Sequence, residues 1–109
     1  MKEQRISMLE KYIQDDPQDP FPLYALALEY IEREVEKSVE LFNKTLQKFP
    51  LYLPTYYHAA ALFADLGEIE KAKSLYEKGI QLAQDQKEQK TLNELRAAFQ
   101  NFRFENGLD

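Results

Sequence analysis

Cysteine is absent from the 109 residues. That absence excludes a disulfide framework, a thiolate zinc site and a cysteine nucleophile, and it fits a reducing compartment. Glycine and proline are sparse, at 3 and 5 residues, which leaves little room for disordered linkers. Gly67, Gly79 and Gly107 stand far apart, so there is no glycine-rich phosphate loop. No apolar run reaches the roughly 20 residues needed to span a bilayer. No long apolar segment follows Met1-Lys2-Glu3-Gln4-Arg5, so no secretory signal is expected and the cytoplasm is the expected location. An excess of positive charge is missing too: the formal net charge is −5. A phosphate-binding surface needs clustered Lys and Arg, so nucleic acid is not an expected partner.

What remains is rich in Leu, Ala, Glu, Lys and Gln, all good helix formers. The length suits one domain with a modest core. Hydrophobic spacing is helical nearly throughout, and no polar–apolar alternation of a strand persists. Ile6, Leu9, Tyr12 and Ile13 fall on one face of a first helix that ends at Asp15-Asp16-Pro17. Asp19-Pro20 then starts a second helix with a capping residue before a proline. That helix carries Leu23, Leu26, Ala27 and Tyr30. A charged stretch from Glu32 to Lys37 holds a turn, and a third helix carries Val39, Phe42, Leu46 and Phe49.

Leu53-Pro54 opens a fourth helix with Tyr56, Ala59, Ala60 and Phe63 on one stripe. Gly67 suits the left-handed position just past its end. The fifth helix carries Ala72, Leu75, Tyr76, Gly79 and Ile80. A polar stretch from Gln84 to Lys90 contains the next turn. The last helix, Lys87 to Phe104, carries Leu92, Leu95, Ala98, Phe99 and Phe102, and the tail from Glu105 to Asp109 is expected to fray. The expectation is an all-α fold of six helices, with short connections that place successive helices antiparallel.

The chain also repeats itself. Pro20 and Pro54 stand 34 residues apart, as do Phe42 and Tyr76, and Leu46 and Ile80. Leu26-Ala27 and Tyr30 match Ala59-Ala60 and Phe63 at an offset of 33, so one residue is lost in the intervening turn. A surface turn tolerates such a loss.

A helix–turn–helix unit with this period resembles the tetratricopeptide repeat. In the second copy, Tyr56, Ala59-Ala60 and Phe63 take the aromatic, small and aromatic slots of the pattern, and Gly67 takes the turn. Ala72, Tyr76 and Gly79 take the small, aromatic and small slots of the second helix. The closing proline is replaced by Gln84, which implies that the fifth helix runs on past the usual stop. In the first copy Leu23, Leu26, Ala27 and Tyr30 fit the first helix, and Ser38, Phe42, Thr45 and Pro50 the second. The turn glycine is lacking there. The resemblance implies a right-handed helical repeat array. Residues 3–15 would form an N-terminal cap, 20–52 and 53–86 two repeats, and 87–104 a C-terminal cap. One repeat cannot cover its own apolar face, so caps are needed, and a complete short array is the expectation.

In this family the first helix of each repeat lines a concave surface that commonly holds a peptide or helix of another protein. Carried over, the candidates are Phe21, Tyr24, Leu28, Ile31 and Glu32, with Tyr57, His58, Ala61, Ala64 and Asp65. Tyr24, Leu28 and Ile31 share a helix face that stacking does not need. Either the protein's own terminal helices or a second subunit cover that stripe, or it awaits a partner. Two functions follow: a protein-interaction module, or a homodimerising scaffold that uses the same stripe.

Some family members grip an acidic C-terminal tail through Lys, Asn and Arg. The corresponding places here hold Tyr24, Leu28, Tyr57, His58 and Ala61, while Glu32 and Asp65 would repel such a tail. A basic or apolar partner is therefore expected.

His58 is the only histidine, and neither a general base nor a metal can be built from it alone. No catalytic residue, metal site or cofactor is expected. Lys71, Lys73 and Lys78 alternate with Glu68, Glu70 and Glu77 as a salt-bridged solvent face. The last helix is amphipathic but mixed in charge, which favours a packed cap over a membrane-surface helix. Phe104 lies off its stripe and is expected to be exposed.

Overall fold

The computed structural model describes residues 2–108; Asp109 and Met1, on which the tail and signal expectations partly fall, lie outside them. Among the described residues six helices follow one another: α1 (Lys2–Asp15), α2 (Pro20–Tyr30), α3 (Val35–Lys48), α4 (Pro54–Asp65), α5 (Ile69–Gln86) and α6 (Gln89–Glu105). Among the described residues there is no strand. The chain divides into two compact units, Met1–Thr55 and Tyr56–Asp109. No helix among the described residues is long and apolar enough to cross a membrane.

In the first unit, the start of α2 follows from its capping residues. The Phe21 N–H donates to Asp19 Oδ1 at 3.1 Å, and Pro20 occupies the first turn, where a missing N–H costs nothing. The helix buries Pro22, Leu23, Leu26, Ala27 and Tyr30. Against this stripe α3 places Phe42, Ser38 and Thr45, all fully buried. Ser38 does more than fill space. The Ile31 N–H bonds to Leu28 O and not to Ala27 O. The Ser38 hydroxyl donates to that Ala27 carbonyl at 2.7 Å and satisfies it.

Helix α1 shields a different side of α2. Leu9 forms a buried cluster with Leu26 and Tyr30, and Ile6 and Ile13 pack against it with Ala25 and Leu41. An Arg5–Glu29 ion pair at 2.9 Å lies along the same side. Tyr12, expected on this face, is instead 46% exposed. It precedes Ile13 by one residue, which is about 100° around the helix, and the Ile6–Leu9–Ile13 stripe is too narrow to include it.

In the second unit every helix ends on a left-handed residue. Gly67 has φ 81°, Lys87 φ 59° and Gly107 φ 63°. After each, an N–H reaches five residues back to close the last turn: Glu68 to Phe63 O at 2.9 Å, Glu88 to Ala83 O at 3.0 Å and Leu108 to Arg103 O at 2.9 Å. The third of these corrects the expected fraying, because residues 105–108 close α6 as a cap. The second explains why α5 runs to Gln86 and why α6 begins at Gln89 and not at Lys87. Phe104 is 80% exposed, as its place off the stripe implies.

The core of this unit is built by close approach. Ala59, Ala60, Ala72 and Ala83 have no exposure, and Phe63 and Leu95 fill the space between helices without any either. At Gly79 a Cβ would fall 2.8 Å from Tyr56 Cβ and 3.4 Å from both Leu95 methyls. The Tyr56 atom is fixed to the α4 backbone, so only a helix shift could relieve the clash.

Two opposite outcomes are expected in urea denaturation. Gly79→Ala destabilises by about 1–3 kcal/mol through overpacking, despite alanine's intrinsic helix advantage of about 1 kcal/mol. An increase in stability would show that the helices can separate cheaply. Lys87→Gly stabilises by about 1 kcal/mol, because it removes the left-handed cost of a side chain. No gain there would place the closing turn in another conformation.

Candidate functional site

The packing stripe of α2 leaves a second row of residues. Phe21 is 52% exposed, Glu32 is exposed, and Tyr24, Leu28 and Ile31 are half-buried. The α1 cluster engages the Leu26–Tyr30 side of the helix and does not include this row. Tyr24 stands between two other rings: Phe21 at 6.4 Å, tilted, and Tyr52 at 5.5 Å, edge to face. Burial raises the Tyr24 hydroxyl pKa, and Tyr52 adds to the effect. Tyr52 was not among the expected site residues. It lies in the short segment between α3 and α4, where helical periodicity gives no sign of which way a side chain faces. Beside it, Pro20, Lys48, Phe49, Pro50 and Leu51 complete an apolar recess of about 400 Å³.

In α4 the split is just as clear. Tyr56, Ala59, Ala60 and Phe63 are buried, whereas Tyr57 and Asp65 are exposed and His58, Ala61 and Ala64 are intermediate. Tyr57 and His58 meet edge to face at 5.3 Å. Ala61, Ala64 and Asp65 line one side of a pocket of about 290 Å³, with Tyr76 of α5 and Ala98, Phe102, Glu105 and Asn106 at the α6 end. Tyr57 and His58 lie outside that lining. Sequence reasoning assigned Tyr76 and Phe102 to packing and left Glu105 in a frayed tail. Their convergence depends on three helices meeting, which no local pattern reports.

The pocket has an aromatic floor. Tyr76 lies 5.3 Å from Phe102 and 5.5 Å from Phe99, and the two phenylalanine rings are 6.2 Å apart. Burial raises the Tyr76 hydroxyl pKa, and the negative charges of Asp65 and Glu105 reinforce it, with Tyr57. Two carboxylates therefore sit near one buried hydroxyl.

Lys71, expected on a salt-bridged surface, stands over the Phe63 ring at 4.2 Å. Among the described residues no three His, Asp or Glu side chains group as metal ligands.

Partial burial holds the His58 pKa below its ordinary value. The folded protein thus favours neutral imidazole, and the unfolded chain binds the proton more readily. His58 contributes stability that is complete above the unfolded pKa near 6.5 and is lost as pH falls through the lower folded pKa. Urea midpoints measured from pH 7.5 to 5 should fall, and His58→Gln should fall less steeply. Parallel curves for the two proteins would contradict this assignment.

No family model matches the sequence, and no curated protein does either. Solved structures do. The solution NMR structure of a tetratricopeptide repeat domain protein from Salinibacter ruber is 35% identical over 86% of this chain and 93% of its own, with a TM-score of 0.76. A crystal structure of such a protein from the same organism is 34% identical over 78% of this chain and 97% of its own, with a TM-score of 0.73. A MamA structure shares the fold at 18% identity and a TM-score of 0.58, covering 99% of this chain and 67% of its own. With its small–aromatic helix stripes and its likeness to nearly the full length of such domains, the chain belongs to the tetratricopeptide repeat family, helical repeat modules generally involved in protein interaction.

Proposed function

We propose that the protein is an interaction module that binds a peptide or helix of a partner protein on the outward residues of α2 and α4. On this reading residues 20–52 and 53–86 are its two repeats, and the residues that carry recognition are Phe21, Tyr24, Leu28, Ile31 and Glu32 with Tyr57, His58, Ala61, Ala64 and Asp65. One observation carries the reading. The stripe needed for packing is buried on each of these helices, and a further row of aromatic and aliphatic side chains remains half-buried or exposed beside it. A ring that is partly wet offers large contact area and a polar tip, which suits recognition.

The partner is basic or apolar. Glu32 and Asp65 flank the row, and the net charge is −5, so an acidic tail is disfavoured. Neither catalysis nor a cofactor enters the reading, and nucleic acid and membrane are not its partners. The cytoplasm is the compartment we assign it.

Selection from an unbiased displayed-peptide library against the full chain tests this. Tyr24→Ala and Phe21→Ala should each weaken the selected peptides by about tenfold, as loss of an aromatic anchor does. Tyr57→Asp should weaken them as well. Circular dichroism and an unchanged melting curve for Phe21→Ala, an exposed position, separate lost binding from lost folding. If no peptide held by the wild type is lost by any of these variants, the surface is misassigned. If the chain sediments as a dimer that Phe21→Ala dissociates, the row joins two copies of the protein, and the partner-binding reading is replaced.

A further inference from the structure

We propose that the pocket among α4, α5 and α6 is a socket for one cationic side chain, a lysine or arginine, of the bound peptide. The inference rests on the interaction-module reading and specifies what this part of the surface recognises.

Three independent features converge. First, size: about 290 Å³ is at the floor of the roughly 300–1,000 Å³ typical of small-molecule sites. It suits a single side chain better than a cofactor.

Second, chemistry. Ala61, Ala64, Ala98 and Phe102 line part of the pocket, and Asp65, Glu105 and Asn106 contribute to a surface that is mainly polar. No lysine or arginine lines the space. Arg103, which neighbours Glu105 in sequence, lies over the Phe99 ring at 5.5 Å. An apolar guest would bury two carboxylates without compensation, and an anion would be repelled. A hard metal ion wants six or more oxygen ligands, more than this donor set offers. An aliphatic stem with a cationic head fits both the walls and the charge.

Third, Tyr76. It is 5% exposed and lines the pocket, and its hydroxyl feels the negative charges of Asp65 and Glu105. An ammonium or guanidinium group between Asp65 and Glu105 would donate to this oxygen as well as to the carboxylates.

The placement of the two acids adds weight. Asp65 is the last residue of α4 and Glu105 the last of α6. Both stand at the negative ends of helix dipoles, where an acid is disfavoured. A bound cation would relieve both ends together.

The test is an amide chemical-shift titration of the full chain. The probe is a five-residue alanine peptide with a central arginine, and its control carries the neutral isostere citrulline. The arginine peptide should shift Ala64, Asp65, Phe102, Glu105 and Asn106, and the citrulline peptide should not. The double variant Asp65→Asn/Glu105→Gln should bind about tenfold more weakly, the combined loss of two partly screened ion pairs. Tyr76→Phe, which keeps the ring packing, should weaken binding by about threefold, as loss of one hydrogen bond does. Shifts centred elsewhere, equal shifts with citrulline, no shifts at all or undiminished binding by the double variant would each overturn the socket. Library-selected peptides that bind the wild type and the double variant alike would remove the socket and leave the interaction reading intact.

Discussion

Helices packed through ordinary side chains keep their axes about 8–10 Å apart, and in this chain residues without bulk bring them closer. At Gly79 the backbone of α5 comes so near α4 that one methyl group would collide with Tyr56 Cβ, at 2.8 Å. Alanines with no exposed surface recur along the same stripes: Ala27 in α2, Ala59 and Ala60 in α4, Ala72 and Ala83 in α5. Close approach leaves hollows beside the contact, and Phe42 and Phe63 fill them completely. Packing of this kind uses a narrow stripe. A helix that secures its neighbours through residues three and four apart still has most of its circumference to present elsewhere. The second row on α2 and on α4 exists because the first row is so economical.

The two helix pairs reach the same result by different local means. Between α4 and α5 the turn passes through left-handed Gly67, and an N–H from Glu68 closes onto Phe63. From Tyr30 to Phe42 the chain is one residue shorter than from Phe63 to Tyr76, and the turn between α2 and α3 has no residue of positive φ. There Arg33 and Glu34 both donate to Tyr30 O, and Ser38 supplies the bond that the tightened turn leaves unmade at Ala27. The rings at the ends of the two stripes are then treated alike. Lys37 stands over Tyr30 at 4.7 Å and Lys71 over Phe63 at 4.2 Å, each three residues into its helix. Cation and ring recur in register, although the turns between them differ.

What could be read from the sequence divides along the same line between local and distant. The stripes Leu23–Leu26–Ala27–Tyr30 and Tyr56–Ala59–Ala60–Phe63 obey helical spacing, so helix existence, buried faces and the repeat were all legible. So were the Asp19 cap and the Gly67 stop, because one residue's chemistry determines each. Tyr12 was misplaced because an aromatic beside a narrow stripe is hard to tell from one on it. The start of α6 was misplaced because Lys87, a residue with no left-handed preference, closes α5. On the candidate surface, exposure of Phe21 and Tyr57 was inferable from the stripe they miss. Tyr52 was not, since nothing periodic constrains its segment. Nor was the pocket, whose walls come from three helices and whose floor, Tyr76 and Phe102, reads from sequence as core alone.

That double role of Tyr76 is where packing and recognition meet. Its ring belongs to the aromatic stack with Phe99 and Phe102, and the core fixes it there. Its hydroxyl is thereby held at the pocket that Asp65 and Glu105 also line. Sequences that only needed to fold would place phenylalanine at such a position and a lysine at the end of α4 or α6, because both choices satisfy local rules. This chain makes neither choice within one pocket, which holds a tyrosine and two acids at helix C-termini. Natural proteins concentrate such exceptions where function requires them. The rigid ring fixes the acceptor oxygen, and the helix ends fix the acids. The site is thus organised before any partner arrives, which lowers the ordering cost that binding must overcome.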